Sequence, residues 1–379
     1  MTSSPRPPHV GGRPDPIGGT TALGGESAPA RGYLLDNARA EAGERFVWLA
    51  ELFDGVTRGH FERLGVRAGS RCWEVGAGGP SIPEALAAAV GPTGHVLATD
   101  IDPWVTGRAT RFLTEAGYSN VQVVTGDGEH AADRYGPFDK ILVTAGAWDC
   151  PWARLLTEGG RMVVPLIVST YTRSVTFVRH GDRWDGEHPV LCGFISMKGA
   201  GAGYEQHATL PGQVHLALEG GPALSDEVLG QAIAGARTEV WTGVTFDDDK
   251  GFFSLNLHLA AAEDRAGMIW NEPGSSRLPT AARWFTPALV EPASVAFLTS
   301  RPASDASGPR RSELGVHAYG GSGPELARDL VARVREWDTG HRHQSEPQYT
   351  LYPAGTPVEA PSDGRLFSRQ HVQITLSWP

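Results

Sequence analysis

Arg71-Cys72-Trp73-Glu74-Val75-Gly76-Ala77-Gly78-Gly79, followed by Leu97-Ala98-Thr99-Asp100-Ile101-Asp102-Pro103, decides the reading of this chain. The first stretch runs from a buried strand into a glycine turn. The second is a strand that ends in acid. Between them Ser81-Ile82-Pro83-Glu84 has the pattern of a capping box, opening a helix to Val90 that Gly91-Pro92 stops. Strand, glycine turn, helix, strand and acid together make a nucleotide pocket. The glycines let the backbone approach a ligand, and the acid accepts from two ribose hydroxyls. The glycine cluster alone also fits an ordinary strand-to-helix turn, and Asp100 alone fits a solvated strand end; the spacing of the two favours the pocket.

The alternation continues downstream. Asp102-Pro103 reads as an N-cap with proline in the first turn of a helix that ends at Gly117. Val96–Thr99, Val121–Val124, Lys140–Thr144 and Arg161–Pro165 read as further strands, and Val175–Val178 and Val190–Phe194 as the antiparallel end of the same sheet. Strands alternating with helices predict an α/β fold: a doubly wound, Rossmann-like sheet with helices on both faces. Upstream, Phe46, Leu49, Ala50, Phe53 and Leu64 have helical spacing, closed by Gly65.

Residues 1–30 are Pro, Gly, Ser, Thr and Arg with few apolar groups, a composition that predicts a disordered tail. After Gly199-Ala200-Gly201-Ala202-Gly203 the texture changes. Ser225 caps a helix to about Ala234, and Ser322-Gly323-Pro324-Glu325 is a second capping-box pattern before an apolar stripe of Leu326, Leu330, Val331, Val334 and Trp337. Thr238–Thr242, Phe252–His258, Ser294–Thr299, Gly315–Ala318, Tyr349–Tyr352 and Val372–Trp378 are candidate strands, and Ser300–Arg311 a mobile loop. The expected division is a tail (1–30), a nucleotide-fold domain (31–203) and a C-terminal α+β domain (204–379).

A net charge of −10 argues against a general nucleic-acid or membrane-surface binder, since both need basic patches. The three cysteines, Cys72, Cys150 and Cys192, lie far apart, which argues against a disulfide framework or a zinc site and for a reducing compartment. Two histidines, His341 and His343, are close together, but with no acid–cysteine cluster beside them no metal is expected. No run approaches a membrane span, and the first residues lack an apolar signal core; the cytoplasm is the expected location.

Glu74-Val75-Gly76-Ala77-Gly78 resembles the first motif of class I S-adenosylmethionine-dependent methyltransferases. Phe138-Asp139-Lys140-Ile141-Leu142-Val143-Thr144-Ala145-Gly146-Ala147 and Leu155-Leu156-Thr157-Glu158-Gly159-Gly160-Arg161-Met162-Val163-Val164-Pro165 narrow the resemblance to the protein-L-isoaspartate O-methyltransferase family. Cys192-Gly193-Phe194-Ile195-Ser196-Met197 stands where that family has its terminal Phe-Val-Pro-like strand, so the resemblance covers about residues 60 to 200. It implies S-adenosylmethionine as cofactor. Glu74 would hold its amino group, Gly76, Ala77 and Gly78 would meet its methionine part, and Asp100 with Ile101 its ribose. Gly126-Asp127-Gly128 would meet the adenine, and Thr144-Ala145 would complete the wall.

Two departures matter. The family's third glycine falls at Pro80, which tightens the turn. The Thr-Ile-Ser segment whose serine meets the substrate carboxylate is missing; the stretch at that distance is Ala50-Glu51-Leu52-Phe53-Asp54. Thr57, His60 and Ser81 are the candidate substitutes at the catalytic centre, although His60 also reads as a surface helix residue. A branch of the family that modifies ribosomally made peptides combines such a core with an added C-terminal domain, and this chain resembles it. The resemblance implies a peptide partner, methylation of an aspartate carboxylate, and then succinimide and isoaspartate. Trp241, Phe252, Phe253, His341, His343, His371 and Trp378 are candidate peptide contacts, with ordinary core packing as the alternative for the aromatic ones. The other readings are an isoaspartate repair methyltransferase, a small-molecule methyltransferase, and a non-catalytic peptide-binding protein on the same scaffold. The oligomeric state is not legible.

Overall fold

A computed structural model describes residues 59–378 except 203–204, 222, 249–250, 273–277, 282–285 and 304–309. The expected tail, the helical spacing before residue 59, Thr57, and the centre of the loop expected over 300–311 lie outside the described residues.

The first half builds a parallel sheet. β1 (Arg71–Val75) pairs in parallel with β2 (His95–Asp100) and β4 (Phe138–Val143), β2 with β3 (Val121–Thr125), and β4 with β5 (Leu156–Val168). The order β3-β2-β1-β4-β5 reverses direction beside β1, which opens a crevice at the carboxyl ends of β1, β2 and β4. β6 (Tyr171–His180) and β7 (Arg183–Leu191) follow as antiparallel strands. β7 stops at Leu191, short of the strand expected to Phe194, and Ile195–Met197 instead bracket Gly146.

α1 (Ser81–Val90) buries Leu86, Ala87 and Val90 against Cys72, Val96 and Leu142 on one face of the sheet. The expected capping box does not form: Pro80 occupies the N-cap, Ser81 is already helical, and no side chain caps the end. Pro80 lacks a side-chain acceptor, but its carbonyl starts the helix by accepting from Glu84 N at 2.9 Å. Asp102 does cap α2 (Pro103–Glu115), its carboxylate accepting from Trp104 N at 2.8 Å.

A second, wholly antiparallel sheet has the order β10-β14-β13-β12-β11-β9-β8. Its strands are β8 (Glu205–Leu210), β9 (Val214–Glu219), β10 (Thr238–Asp247), β11 (Ala266–Asn271), β12 (Thr286–Glu291), β13 (Ser294–Pro302) and β14 (Arg311–Gly320). α3 (Asp226–Ala234), capped by Ser225 as expected, contributes Leu229 to the core on one side. α5 (Gly323–Thr339) packs Leu326, Leu330, Val334 and Trp337 on the other; its N-cap is Ser322, without a side-chain bond.

Two findings depart from the expected layout. Phe252–His258 is no strand: Phe253–Ala262 forms α4. Its Leu255 and Leu259 join the core of the second sheet, while Leu257 and Ala260 join that of the first. A helix buried between two sheets is apolar around its circumference, and the alternation Leu255-Asn256-Leu257-His258-Leu259 imitates a strand. The last strands also return to the first sheet. β15 (Gln348–Pro353) pairs with β7, β17 (Val372–Ser377) with β15, and β16 (Gly364–Ser368) with β17, making ten strands in all. The C-terminal stretch is thus divided: residues 205–320 make the second sheet, and 348–377 complete the first. No helix among the described residues is long and apolar enough to cross a membrane.

Candidate functional site

The crevice beside β1 holds a pocket of about 190 Å³. Its floor is the end of β1 and the turn after it, Val75, Gly76 and Gly78. The ends of β2 and β4 supply Thr99, Asp100, Ile101, Thr144 and Ala145. Gly128 and the segment Ile195–Lys198 close the remaining sides.

The turn is held from both neighbours. Gly76 N and Ala77 N donate to the Thr99 carbonyl at 2.9 and 3.0 Å, while the Thr144 hydroxyl donates to the carbonyls of Val75 and Gly76. Gly76 has φ +83°, and an added Cβ would meet Thr144 and Ala145. Both the left-handed backbone and the close approach require glycine there. Asp100 lies at the pocket with one carboxylate oxygen accepting from Gly78 N at 3.0 Å and the other from Asp102 N at 2.9 Å. These bonds aim both oxygens while leaving each with acceptor capacity. Burial pushes its carboxyl upward, and the two backbone donors oppose that shift.

Glu74 lies under this turn, with no exposed surface. Neither carboxylate oxygen has a hydrogen-bond partner in the protein. Burial, and then the nearby charge of Asp100, push its carboxyl well above the ordinary range. An orphaned buried carboxyl of this kind is costly unless a donor or cation meets it.

Among the described residues, the remaining expected ones do not line the pocket. Ala77 is buried beneath the turn, and Gly126 ties β3 to β2 by donating to the Asp100 carbonyl at 2.9 Å; neither lines the pocket. Asp127 does not line it either. Its carboxylate accepts from Glu129 N at 3.0 Å and from Ala200 N at 2.8 Å, pinning the turn at Gly199–Gly201. His60, a candidate at the catalytic centre that also reads as a surface helix residue, is 2% exposed and does not line the pocket. Its Nε2 and the Ser174 hydroxyl are 2.8 Å apart, its ring stacks on Phe194 at 5.9 Å, and burial, with Arg63, lowers its pKa to about 4. Ser81 is exposed at the start of α1 and does not line the pocket.

Ile195, Ser196, Met197 and Lys198 are pocket residues outside the expected cofactor set, although the first three lie in the family-like stretch Cys192–Met197. They reach the wall because Gly146 N donates to the Ile195 carbonyl at 2.8 Å and Met197 N to the Gly146 carbonyl at 2.9 Å. No spacing rule foretells a pairing across fifty residues between two irregular segments. The candidate peptide contacts separate similarly. Phe252 and Trp378 are buried, Trp241 has Arg301 stacked over it at 3.9 Å, and Phe253 is exposed. His341 stacks on Trp378 at 4.0 Å and its Nδ1 lies 2.8 Å from that of His258.

Residues 57–197 match the model of the protein-L-isoaspartate(D-aspartate) O-methyltransferase family. Protein-L-isoaspartate O-methyltransferase 2 of Archaeoglobus fulgidus is 38% identical over 107 residues, which are 28% of this chain and 49% of the relative. The Ignicoccus hospitalis protein-L-isoaspartate O-methyltransferase is 40% identical over 107 residues, 28% of this chain and 51% of the relative. The chain thus spans about half the length of the curated relatives it matches. Among solved structures, a protein-L-isoaspartate O-methyltransferase overlays with a TM-score of 0.39 at 18% identity, covering 76% of this chain and 75% of its own. A Plasmodium falciparum relative, described as a putative protein-L-isoaspartate O-methyltransferase in complex with S-adenosyl-L-homocysteine, overlays with a TM-score of 0.34 at 17% identity, covering 36% of this chain and 71% of its own. The fold rests on the strand order itself rather than on these overlays. With that order, the glycine turn of β1 and the family match on the same residues, the chain carries a protein-L-isoaspartate O-methyltransferase-like domain of the class I S-adenosylmethionine-dependent methyltransferases.

Proposed function

We propose that this protein is an S-adenosylmethionine-dependent carboxyl O-methyltransferase whose acceptor is an aspartate side chain in a ribosomally made peptide. The observation that carries the reading is the family match over residues 57–197, enclosing a pocket built around Asp100 and the Gly76–Gly78 turn. The residues present fit the cofactor. Asp100 is aimed as a two-oxygen acceptor for ribose hydroxyls, Gly76 keeps the floor open, and Glu74 is a buried carboxyl lacking a partner, suited to an amino group.

S-adenosylmethionine, when bound, supplies a methyl group activated by a sulfonium centre. The protein's task is placement. An aspartate has an ordinary pKa of about 3.9, so at neutral pH the acceptor is already ionised and no general base is needed. Holding carboxylate and methyl carbon in line can lower the barrier by roughly 7–11 kcal/mol. Both charges disappear in the step, so a bidentate arginine on the acceptor would favour the ground state over the transition state. Hydroxyl and N–H donors suit this reaction better, and Ser196 on the pocket wall is a donor of that kind. The ester formed is a better leaving group than carboxylate. The amide nitrogen of the next residue can close on it, expelling methanol and giving the succinimide, and hydrolysis then gives isoaspartate or aspartate.

The missing Thr-Ile-Ser segment and the second sheet support a peptide-modifying role over repair. Repair of isoaspartyl sites is the second reading, favoured by the names of the curated relatives. Mass spectrometry separates them. Precursor peptides, linear and matured, are incubated with the protein and S-adenosylmethionine beside an isoaspartyl control. Gain of one methyl group followed by net loss of water on a precursor alone supports the proposal. Methylation of the isoaspartyl control alone restores the repair reading.

A further inference from the structure

The turn Gly126–Glu129 carries Gly128 to the pocket wall, and it is gripped by residues that lie beyond the family-matched segment. Asp127 accepts from Ala200 N, and the Glu129 carboxylate lies 3.3 Å from Nε2 of His371. His371 sits in the turn between β16 and β17. Its backbone N donates to Asp149 Oδ2 at 2.9 Å, and its Nδ1 lies 3.1 Å from the same oxygen. The imidazole therefore bridges two carboxylates, Glu129 and Asp149, whose side chains are 8% and 9% exposed. The same turn holds Arg369, which pairs with Glu219 at the end of β9 in the second sheet. Gly128 has no slack: an added Cβ would meet Val75 and Met197 at 2.9 Å each.

We propose that His371 is a positioning residue for the cofactor. Supplied by the C-terminal hairpin, it holds Glu129 and so fixes Gly128 at the pocket wall, and the extension thereby governs affinity at a site lined by residues between Val75 and Lys198. This rests on the cofactor reading of the pocket given above. The physical reason is the cost of the alternative. Without His371 the buried Glu129 carboxylate keeps, among the described residues, only the exposed His130 ring, whose Nε2 lies 3.5 Å away. It must then take up a proton or turn toward water, and that turn acts on the backbone it shares with Gly128.

The test is calorimetric titration of the full-length protein with S-adenosylhomocysteine, with thermal unfolding measured in parallel. Loss of the 3.3 Å contact between His371 and Glu129 predicts that H371A weakens binding by about tenfold. H371Q, whose amide donates one of the two bonds, recovers part of the affinity. H371A that melts earlier but binds as tightly as the wild type shows a purely structural role and overturns the proposal. Should H371A fail to fold, E129Q removes the charge at constant size: weakened binding with the fold retained supports the proposal, and unchanged binding overturns it. A wild-type protein that does not bind at all defeats the reading of the pocket and this inference with it, whereas wild-type binding indifferent to both variants defeats only the inference.

Discussion

Arg369 lies over the indole of Trp148 at 4.3 Å and donates from Nε to the Trp148 carbonyl at 3.2 Å, a contact that joins residues 221 positions apart. It fastens the final hairpin to the loop that follows β4. The hairpin is also continuous with the core: Tyr349, Leu351, Ile374 and Leu376 are buried in one cluster with Phe177 and Trp184. Cutting the chain after residue 203 removes that cover and opens β7 as a bare edge. The truncated protein is expected to aggregate or to bind hydrophobic dyes strongly. A soluble truncation with cooperative unfolding would mean that the first 203 residues fold without the hairpin.

Asp100→Asn keeps the size of the side chain and removes its charge. Hydrogen bonds to a charged acceptor contribute about 1.5–3 kcal/mol, so affinity for S-adenosylhomocysteine should fall by roughly ten- to a hundredfold. Circular dichroism should remain that of the wild type. Unchanged affinity would remove Asp100 from the cofactor site.

Trp152 Nε1 donates to the Gly128 carbonyl at 2.7 Å in a buried setting. Trp152→Phe leaves that carbonyl without its donor, at a cost of about 1–3 kcal/mol. Denaturant titration should show the loss as a lower midpoint at constant slope. An unchanged midpoint would mean that the carbonyl finds another donor.

Stability should depend on pH through two buried histidines. Burial, with Arg63, lowers His60 to about 4, and burial, with His341, lowers His258 to about 4; both start from an ordinary value of 6.5. Between those values the unfolded chain binds protons that the folded chain refuses. Stability is therefore complete above pH 6.5 and falls as pH drops through the window, each histidine adding a slope of up to about 1.4 kcal/mol per unit. Denaturant titrations across the window on wild type, His60→Asn and His258→Asn should show the slope reduced in each variant. Equal slopes in all three proteins would assign the dependence to other groups.

The parallel half of the fold was legible because its determinants are local. Glycine turns, the Asp102 cap and short apolar strands each announce themselves within a few residues, and they place Gly76, Gly78, Asp100, Ile101, Gly128, Thr144 and Ala145 around one pocket. The same locality misled elsewhere. Ser81 and Ser322 sit in capping-box patterns whose side chains make no cap, since a cap depends on backbone angles that a pattern of residue types does not set. His60 carries the residue type of an exposed helix and is buried by Phe194 and Ser174, both more than a hundred residues away.

What the sequence alone determined was the strand-and-turn layout of the nucleotide-fold core and its likeness to one family, because glycine and carboxylate act there through backbone geometry and charge at fixed spacing. Tertiary structure alone decided that α4 is a helix, that residues 348–377 belong to the first sheet, that Ile195–Lys198 line the pocket and that His371 reaches Glu129. Those outcomes are set by which surfaces remain to be covered once the first sheet exists, and burial between distant segments leaves no period or motif along the chain.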